Sequence, residues 1–257
     1  MIRISLVAAA LGTLLAFPAT AQVVAITNPS FEADVIDSGT FRVDAGFPQG
    51  WAAYDPSSIL NGGANSIGII YPAGSEFFPG GAPDGNNAAI VYLAGSTDVE
   101  AGLQQTLSTL LLANTRYTVS VGIGNIASGT STGTSSGGPG VFYDLSGFPG
   151  YRIDLLAGGV VLASDNSTLS GTIPEGEFRT SSFVFDTTAV TPQIGQNLGI
   201  RLVNLAHSPG TEVDFDNVSI VATPVPEPAT CGIAMSAILA LAFTVKRKAS
   251  ISEWQGA

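Results

Sequence analysis

Hydrophobic and polar side chains alternate with a period of two along much of this chain, and the pattern predicts β-strands rather than helices. Residues 117–123 alternate apolar side chains with threonine, serine and glycine, as a strand with one buried face does. Residues 151–155 repeat the pattern. The pair Gly158-Gly159 then separates this strand from the apolar residues 160–162. This predicts a two-residue hairpin, because both turn positions tolerate a positive φ.

The same reasoning predicts further strands, separated by glycine and proline. They are residues 50–54, 67–71, 88–93, 103–107, 179–185, 198–205 and 213–221. The only helix-like stretch, residues 108–113, is too short to carry an architecture. Many short strands at moderate spacing are typical of a sandwich. We therefore predict an all-β fold, a jelly-roll-like β-sandwich that occupies residues 22–222 as one domain.

One segment between two strong strands, residues 124–150, differs from the rest in composition. Its residues 128–140 consist of serine, threonine and glycine with one proline. Such low-complexity composition predicts a flexible, disordered loop. The aromatic residues that follow, Phe142, Tyr143 and Phe148, could still border a ligand groove.

The N-terminal residues 1–21 have the three parts of a secretory signal peptide. Arg3 supplies positive charge, residues 6–17 are apolar, and a run of small residues ends at Ala21. Cleavage there would make Gln22 the first mature residue. We therefore predict export through the inner membrane.

The C-terminus carries a second membrane-related pattern. Residues 223–228 are rich in proline and are expected to be extended and exposed, because proline cannot continue a helix. The 17 residues 229–245 carry no charge and would form a helix of roughly 26 Å, near the lower limit for crossing a bilayer. The cations that begin the predicted cytoplasmic tail, residues 246–257, are Lys246, Arg247 and Lys248.

The order of a Pro-Glu-Pro motif, a short apolar span and a basic cluster resembles the PEP-CTERM sorting signal of bacterial surface proteins. The motif residues are Pro226, Glu227 and Pro228. The resemblance implies processing by an exosortase and delivery from the inner membrane to the cell surface or extracellular matrix. A plain single-pass membrane-tethered protein is the alternative interpretation of the same pattern.

The predicted domain is strongly acidic: it holds 18 of the 20 acidic residues, five arginines and no lysine. Such a charge repels nucleic acid and anionic lipid, so we do not expect these partners. The one cysteine, Cys231, lies in the apolar C-terminal segment, so the domain cannot form an internal disulfide. One histidine, His207, cannot build a zinc site with that cysteine.

Three short motifs in the domain resemble jelly-roll carbohydrate-binding modules of the galactose-binding-like group. They are Asn28-Pro29-Ser30-Phe31-Glu32, Gly50-Trp51 and residues 213–218. The resemblance implies that the first and last strands are neighbours, that extracellular polysaccharide is a partner, and that Glu32 and Asp216 hold a structural calcium ion with help from Asp214. Trp51 is expected to be buried, and no aromatic residue can be selected as a sugar ligand.

Catalytic motifs are weak in this chain. Two G-x-S-x-G matches, residues 129–133 and 133–137, lie in the low-complexity segment without the strand and helix that a nucleophile elbow needs. His207 is followed by a turn and has no identifiable acidic partner. We therefore predict a structural or carbohydrate-associated protein that is not an enzyme. A two-carboxylate glycan hydrolase is the alternative, although nothing in the sequence marks one acidic pair as special.

Overall fold

The computed structural model describes residues 20–43, 48–60, 64–94, 99–132 and 138–225. In these ranges the chain forms strands and turns, with no helix of the length and apolarity that crossing a bilayer requires. The strands, in chain order, are β1 (Gln22–Val23), β2 (Phe41–Arg42), β3 (Ala52–Tyr54), β4 (Asn65–Ile70), β5 (Ala88–Leu93), β6 (Ala101–Leu110), β7 (Thr115–Asn125), β8 (Gly129–Thr130), β9 (Phe142–Tyr143), β10 (Tyr151–Ala157), β11 (Val160–Asn166), β12 (Glu177–Asp186), β13 (Asn197–Asn204) and β14 (Glu212–Pro224).

Two antiparallel sheets pack face to face. The larger sheet has seven strands in the order β12-β7-β14-β5-β4-β2, with β1 paired to β14. The smaller sheet has five strands in the order β11-β10-β13-β6-β3. A separate short hairpin joins β8 to β9. The prediction of an all-β sandwich is therefore confirmed, and the first and last strands are neighbours, as the pairing of Gln22 with Ala222 shows.

The main hydrophobic core lies between the two sheets and is built from the alternating apolar side chains that the pattern predicted. Its largest buried members include Tyr117 on β7, Tyr151 on β10 and Phe215 on β14. Trp51 is buried as expected; its ring lies 5.4 Å from that of Phe31, and its indole N–H donates to the carbonyl oxygen of Asn28.

Strand β14 contains a bulge that changes which residues face the core. Val213 and Phe215 point inward before the bulge, whereas Val218 and Ile220 point inward after it. The irregularity falls between Asp216 and Ser219, where Asn217 has a φ of 50°. One extra residue shifts the two-residue period by one, so the strand keeps an apolar inner face on both sides. The outer face of the first half consequently carries three acidic side chains: Glu212, Asp214 and Asp216.

Two local predictions were wrong. Residues 108–113 are not helical, because β6 extends to Leu110 and pairs with β13. Residues 124–150 do not form one structureless loop: β7 continues to Asn125, and the β8–β9 hairpin occupies part of the rest. The Gly158-Gly159 hairpin was predicted correctly, and both glycines have positive φ. The predicted membrane helix at 229–245 lies outside the described residues.

A second, smaller apolar cluster covers the outer face of the larger sheet. Its fully buried members include Ile70, Ile90 and Ile126, which the loops that carry Phe77 and Leu145 cover. The cover comes from the segments before β5 and after β7, so the part of this face around Ile70, Ile90 and Ile126 is buried. A cavity remains between the sheet and its cover, and it forms the candidate site.

Candidate functional site

The cavity has a volume of about 230 Å³ and is predominantly apolar. Its lining residues are Phe41, Val43, Ala64, Ser66, Ile70, Phe77, Ile90, Tyr92, Ile126, Tyr143, Leu145 and Glu212. Apolar concave sites with few polar groups are the usual form of a small-molecule site. No cationic side chain is among these residues.

The floor of the cavity follows the register of strands β4, β5 and β14. Ser66 pairs with Tyr92, and Tyr92 pairs with Glu212, so these three polar residues form one row across the sheet, which we call the polar row. Asp214 lies in the next row, opposite Ile90. Residues on the same face of a strand are two positions apart, so the rows are roughly 7 Å apart.

Two carboxyl groups are buried on this face of β14: Glu212 lines the cavity, and Asp214 lies one row further along, opposite Ile90. Glu212 is 6% exposed and Asp214 is fully buried. Burial raises the pKa of Glu212 to about 8. Burial also raises the pKa of Asp214 well above its usual value, and the neighbouring Glu212 adds to this shift. Burial therefore favours the protonated form of both groups, since the charged form of a carboxyl is disfavoured away from water.

The Asp214 carboxyl is unpaired as well as buried. Neither of its oxygens has a hydrogen-bond partner among the described residues. It faces Gly124 on β7, where a Cβ would come within 2.9 Å of the Asp214 Cβ and 2.7 Å of the Phe178 ring. The Phe178 ring in turn stacks on Phe78, with centroids 4.4 Å apart. Glycine at position 124 thus leaves room for the acid and for the aromatic cover above it.

Three aromatic rings form another wall of the cavity. The Phe41 ring meets Tyr143 edge-on at 5.3 Å and Phe77 at 6.0 Å between centroids. Phe77 and Tyr143 complete the group at 6.3 Å. Edge-to-face packing of this kind holds aromatic side chains in defined orientations. We call these three residues the aromatic wall.

The calcium residues expected from sequence lie outside the cavity. Glu32 accepts hydrogen bonds from the backbone N–H groups of Asn86 and Asn87, at 2.7 and 2.6 Å. Asp216 accepts from the N–H groups of Asp84 and Asn217, at 2.9 and 2.6 Å. Burial raises the pKa of Asp216 to about 7, and the nearby charges of Asp84 and Glu32 also raise it.

The two carboxylates are therefore neighbours, as expected, but each is held by backbone amides. Among the described residues, no group of three or more histidine, cysteine, aspartate or glutamate side chains is placed to hold a metal ion. The structure shows these acids joining the loop before β5 to the last strand. Asp214 lies on the same face of β14 as Asp216 but forms no hydrogen bond with this cluster.

The other site predictions fall in less informative places. Ala21 and Gln22 are exposed, and Gln22 begins β1. Exposed His207 lies in the turn region after β13, away from any catalytic cluster. The sorting motif Pro226, Glu227 and Pro228 and the cations Lys246, Arg247 and Lys248 lie outside the described residues.

Sequence reasoning missed the buried acid pair at the cavity. A signal was present, because Glu212, Asp214 and Asp216 alternate with Val213 and Phe215 along one strand. This pattern is ambiguous: acids on one face of a strand usually face water. Only the segments that cover this face identify these acids as buried.

Comparison with protein-family models identifies the family to which this chain belongs. The model of the HpiC1-like family, described as HpiC1 cyclase, matches residues 22–221, most of the chain. The chain belongs to this family. Comparison with curated proteins gave no match.

Solved structures agree with the family. The apo form of a cyclase from Fischerella sp. is 38% identical, with a TM-score of 0.70 over 80% of this chain and 98% of that one. The Stig cyclase Fisc from Fischerella sp. TAU, in complex with (3Z)-3-(1-methyl-2-pyrrolidinylidene)-3H-indole, is 38% identical, with a TM-score of 0.68 over 80% of this chain and 100% of that one. A cyclase from the same organism, in complex with 4-(1H-indol-3-yl)butan-2-one, is 37% identical, with a TM-score of 0.69 over the same shares.

Membership of the HpiC1-like family corrects three predictions. The protein belongs to a family of enzymes, so the prediction of a structural, non-catalytic protein was wrong. The resemblance to carbohydrate-binding modules was wrong because it used short motifs at the ends of the domain, where many sandwiches share capping turns and paired strands. The PEP-CTERM resemblance, with its exosortase, rested on about a tenth of the chain, and the family assignment replaces it.

Proposed function

We propose that this protein is a cyclase that protonates an apolar, indole-containing substrate and guides its ring closure. The observation that supports this most strongly is a pair of buried carboxyl groups: Glu212 lines an apolar cavity, and Asp214 lies in the next row of the same strand face. A carboxylic acid that stays protonated at neutral pH is a proton donor, and burial is how proteins produce one. The indole class comes from the ligands of the two Fischerella complexes.

The proposed chemistry is an isomerisation that needs no net change in protons. The acid pair gives a proton to an electron-rich carbon of the substrate, so an O–H bond breaks and a C–H bond forms. The resulting cation is attacked by a nucleophilic carbon of the same molecule, which closes a ring through a new C–C bond. The intermediate then returns a proton to the carboxylate, and this restores the acid.

The lining of the cavity suits such a cation. Aliphatic side chains such as Ile70, Ile90 and Ile126 exclude water, which would otherwise capture the cation as an alcohol. The aromatic wall offers π-electrons, and a cation near an aromatic face is stabilised by roughly 0.5–2 kcal/mol. Cavity size also limits how far a flexible substrate can unfold, and this favours a compact product.

Turnover of a simple alkenylindole tests the proposal. We would incubate the protein with 3-(4-methylpent-3-enyl)-1H-indole in D₂O and analyse the products by mass spectrometry and NMR. Protonation of the alkene followed by attack of indole C2 gives a tricyclic isomer with one non-exchangeable deuterium. We expect this isomer from the wild type and a loss of about 10²–10⁴-fold in the Glu212→Gln/Asp214→Asn variant.

The matched control is Asp186→Asn, which removes a carboxylate at the exposed end of β12. It should turn over the substrate at the wild-type rate. Equal activity of the double variant and the wild type would remove the acid pair from the mechanism. Failure of the wild type to bind any indole would remove the substrate class.

A structural calcium ion at Glu32 and Asp216 is a separate proposal. Its support is electrostatic: the nearby charges of Asp84 and Glu32 raise the pKa of Asp216, and a cation that takes hard oxygen ligands would offset this repulsion. The test is a thermal melt with and without calcium and chelator. Stabilisation by calcium that Glu32→Gln abolishes is expected, because a ligand of the native state must raise the melting temperature. An unchanged midpoint would refute it.

Export also stays a proposal. Its support is the signal-peptide pattern of residues 1–21 and the uncharged segment 229–245. Intact-mass measurement on protein from the native membrane fraction would test both ends. We expect a mature N-terminus at Gln22 and retention by the C-terminal segment; recovery from the cytoplasm with Met1 in place would contradict it.

A further inference from the structure

The lining of the cavity changes from aromatic to polar along the direction of the strands. At one end, Phe41 pairs with Ile70 beside the aromatic wall. The middle row holds Gly68, Ile90 and the buried Asp214. The polar row lies at the other end. Ser66 and Ile70 are four positions apart on β4, so the two ends of the cavity are roughly 13 Å apart.

The groups of the polar row have no partners of their own. Among the described residues, none forms a hydrogen bond with the side chains of Ser66, Tyr92 or Glu212, although all three line the cavity. Burial raises the pKa of the Tyr92 hydroxyl, and the neighbouring Glu212 carboxyl raises it further. Polar groups at the wall of a small-molecule site that lack a protein partner are available to a ligand.

We propose that the polar row of Ser66, Tyr92 and Glu212 is a hydrogen-bonding subsite that selects substrates with an acceptor group, such as a ketone carbonyl, at the end opposite their aromatic body. The inference rests on the proposed function and adds the orientation of the substrate. The aromatic body packs at the aromatic wall, the acceptor reaches the polar row, and the reacting carbon lies between them, over Ile90.

The chemistry of the row favours an acceptor. Serine and tyrosine hydroxyls donate one hydrogen bond each, and a protonated glutamic acid donates another. A carbonyl oxygen has two lone pairs and can accept from two donors at once. A purely apolar cavity would make the opposite choice, because transferring a carbonyl out of water without a donor is unfavourable.

A pair of ligands that differ only in the carbonyl tests this. The probes are 4-(1H-indol-3-yl)butan-2-one and 3-butylindole, with affinities measured by isothermal titration calorimetry. We expect the wild type to bind the ketone about tenfold more tightly than the alkane, the value of roughly one good hydrogen bond. Tyr92→Phe and Ser66→Ala should each reduce ketone affinity several-fold and leave 3-butylindole unchanged.

Phe77→Leu is the control for the other end of the cavity. It shortens the aromatic wall and should weaken both ligands by the same factor. Equal affinity of the wild type for both ligands, or an equal loss of both in Tyr92→Phe, would overturn the subsite and leave the proposed function standing. If neither ligand binds, the indole substrate class fails, and the subsite fails with it.

Discussion

The outer face of each sheet buries one aspartate, and the two aspartates differ in whether they have partners. On the smaller sheet, Asp154 of β10 is 1% exposed and accepts hydrogen bonds from Ser164 at 2.6 Å and Arg152 at 3.0 Å, with Arg201 at 3.4 Å. On the larger sheet, Asp214 is equally deep and has no partner among the described residues. Burial alone therefore does not decide what an acid does in this protein.

The surroundings of Asp154 form a closed network. Arg152 also donates to both oxygens of Glu100, which accepts the Tyr54 hydroxyl, and the Arg201 guanidinium lies 3.9 Å from the centre of the Tyr54 ring. Such a network holds a negative charge in place and resists change. An acid without partners instead keeps its proton. The first arrangement stabilises the fold, and the second supplies a proton donor.

Identical substitutions at the two aspartates should separate these roles most clearly. Asp154→Asn removes the charge that pairs with two arginines and should lower the free energy of unfolding by about 3 kcal/mol. Asp214→Asn replaces a neutral group by another of the same shape. It should leave the free energy of unfolding unchanged or raise it. Urea denaturation at pH 7 measures both. Equal losses would show that Asp214 is charged or paired in the native state.

A larger side chain at position 124, beside Asp214, should have a smaller effect on the free energy of unfolding. Gly124→Ala places a methyl group within 2.7 Å of the Phe178 ring, so the ring must move. We expect a loss of about 1–3 kcal/mol, the usual range for overpacking a buried site. Gly80→Ala is the matched control, because Gly80, like Gly124, has no positive φ and a Cβ there would meet nothing within 4 Å. A Gly124→Ala variant as stable as the wild type would mean that Phe178 does not cover Asp214.

The pH dependence of stability should show the smallest effect. Glu212 has a folded pKa of about 8, above the ordinary value of 4.5, and Tyr92 and Asp214 are the titratable groups beside it. The folded state thus binds this proton more tightly than the unfolded state does. Its contribution is complete below about pH 4.5 and is lost as the pH rises through 8.

Melting temperatures between pH 5 and 9 test this dependence. Glu212→Gln cannot ionise, so its melting temperature should fall less over this range than that of the wild type. A difference of a few degrees at pH 9 is expected for a protein of this size. Asp186→Asn should retain the full wild-type decline. Parallel curves for the wild type and Glu212→Gln would contradict a protonated Glu212.

Local pattern predicted the sandwich well, because most strands have one face in the main core and therefore alternate clearly. It failed for the site, which depends on contacts between distant segments. Glu212 and Asp214 alternate with Val213 and Phe215 as acids on a solvated face would. Their burial comes from segments distant in the chain, such as the loop that carries Phe77 and the strand that carries Phe178. Low-complexity composition also hid the β8–β9 hairpin, whose Tyr143 lines the cavity.

Isotope-edited infrared spectroscopy tests the central claim most directly, because a protonated carboxyl has a C=O stretch that a carboxylate lacks. Protein labelled with ¹³C in its aspartate and glutamate carboxyl groups would be measured at pH 7. We predict a protonated-carboxyl band in the wild type and in Asp154→Asn. In Glu212→Gln/Asp214→Asn the band should shrink to the part that Asp216 contributes, because burial raises the pKa of Asp216 to about 7. A wild-type spectrum without that band would show that the cavity holds no proton donor, and the proposed mechanism would be wrong.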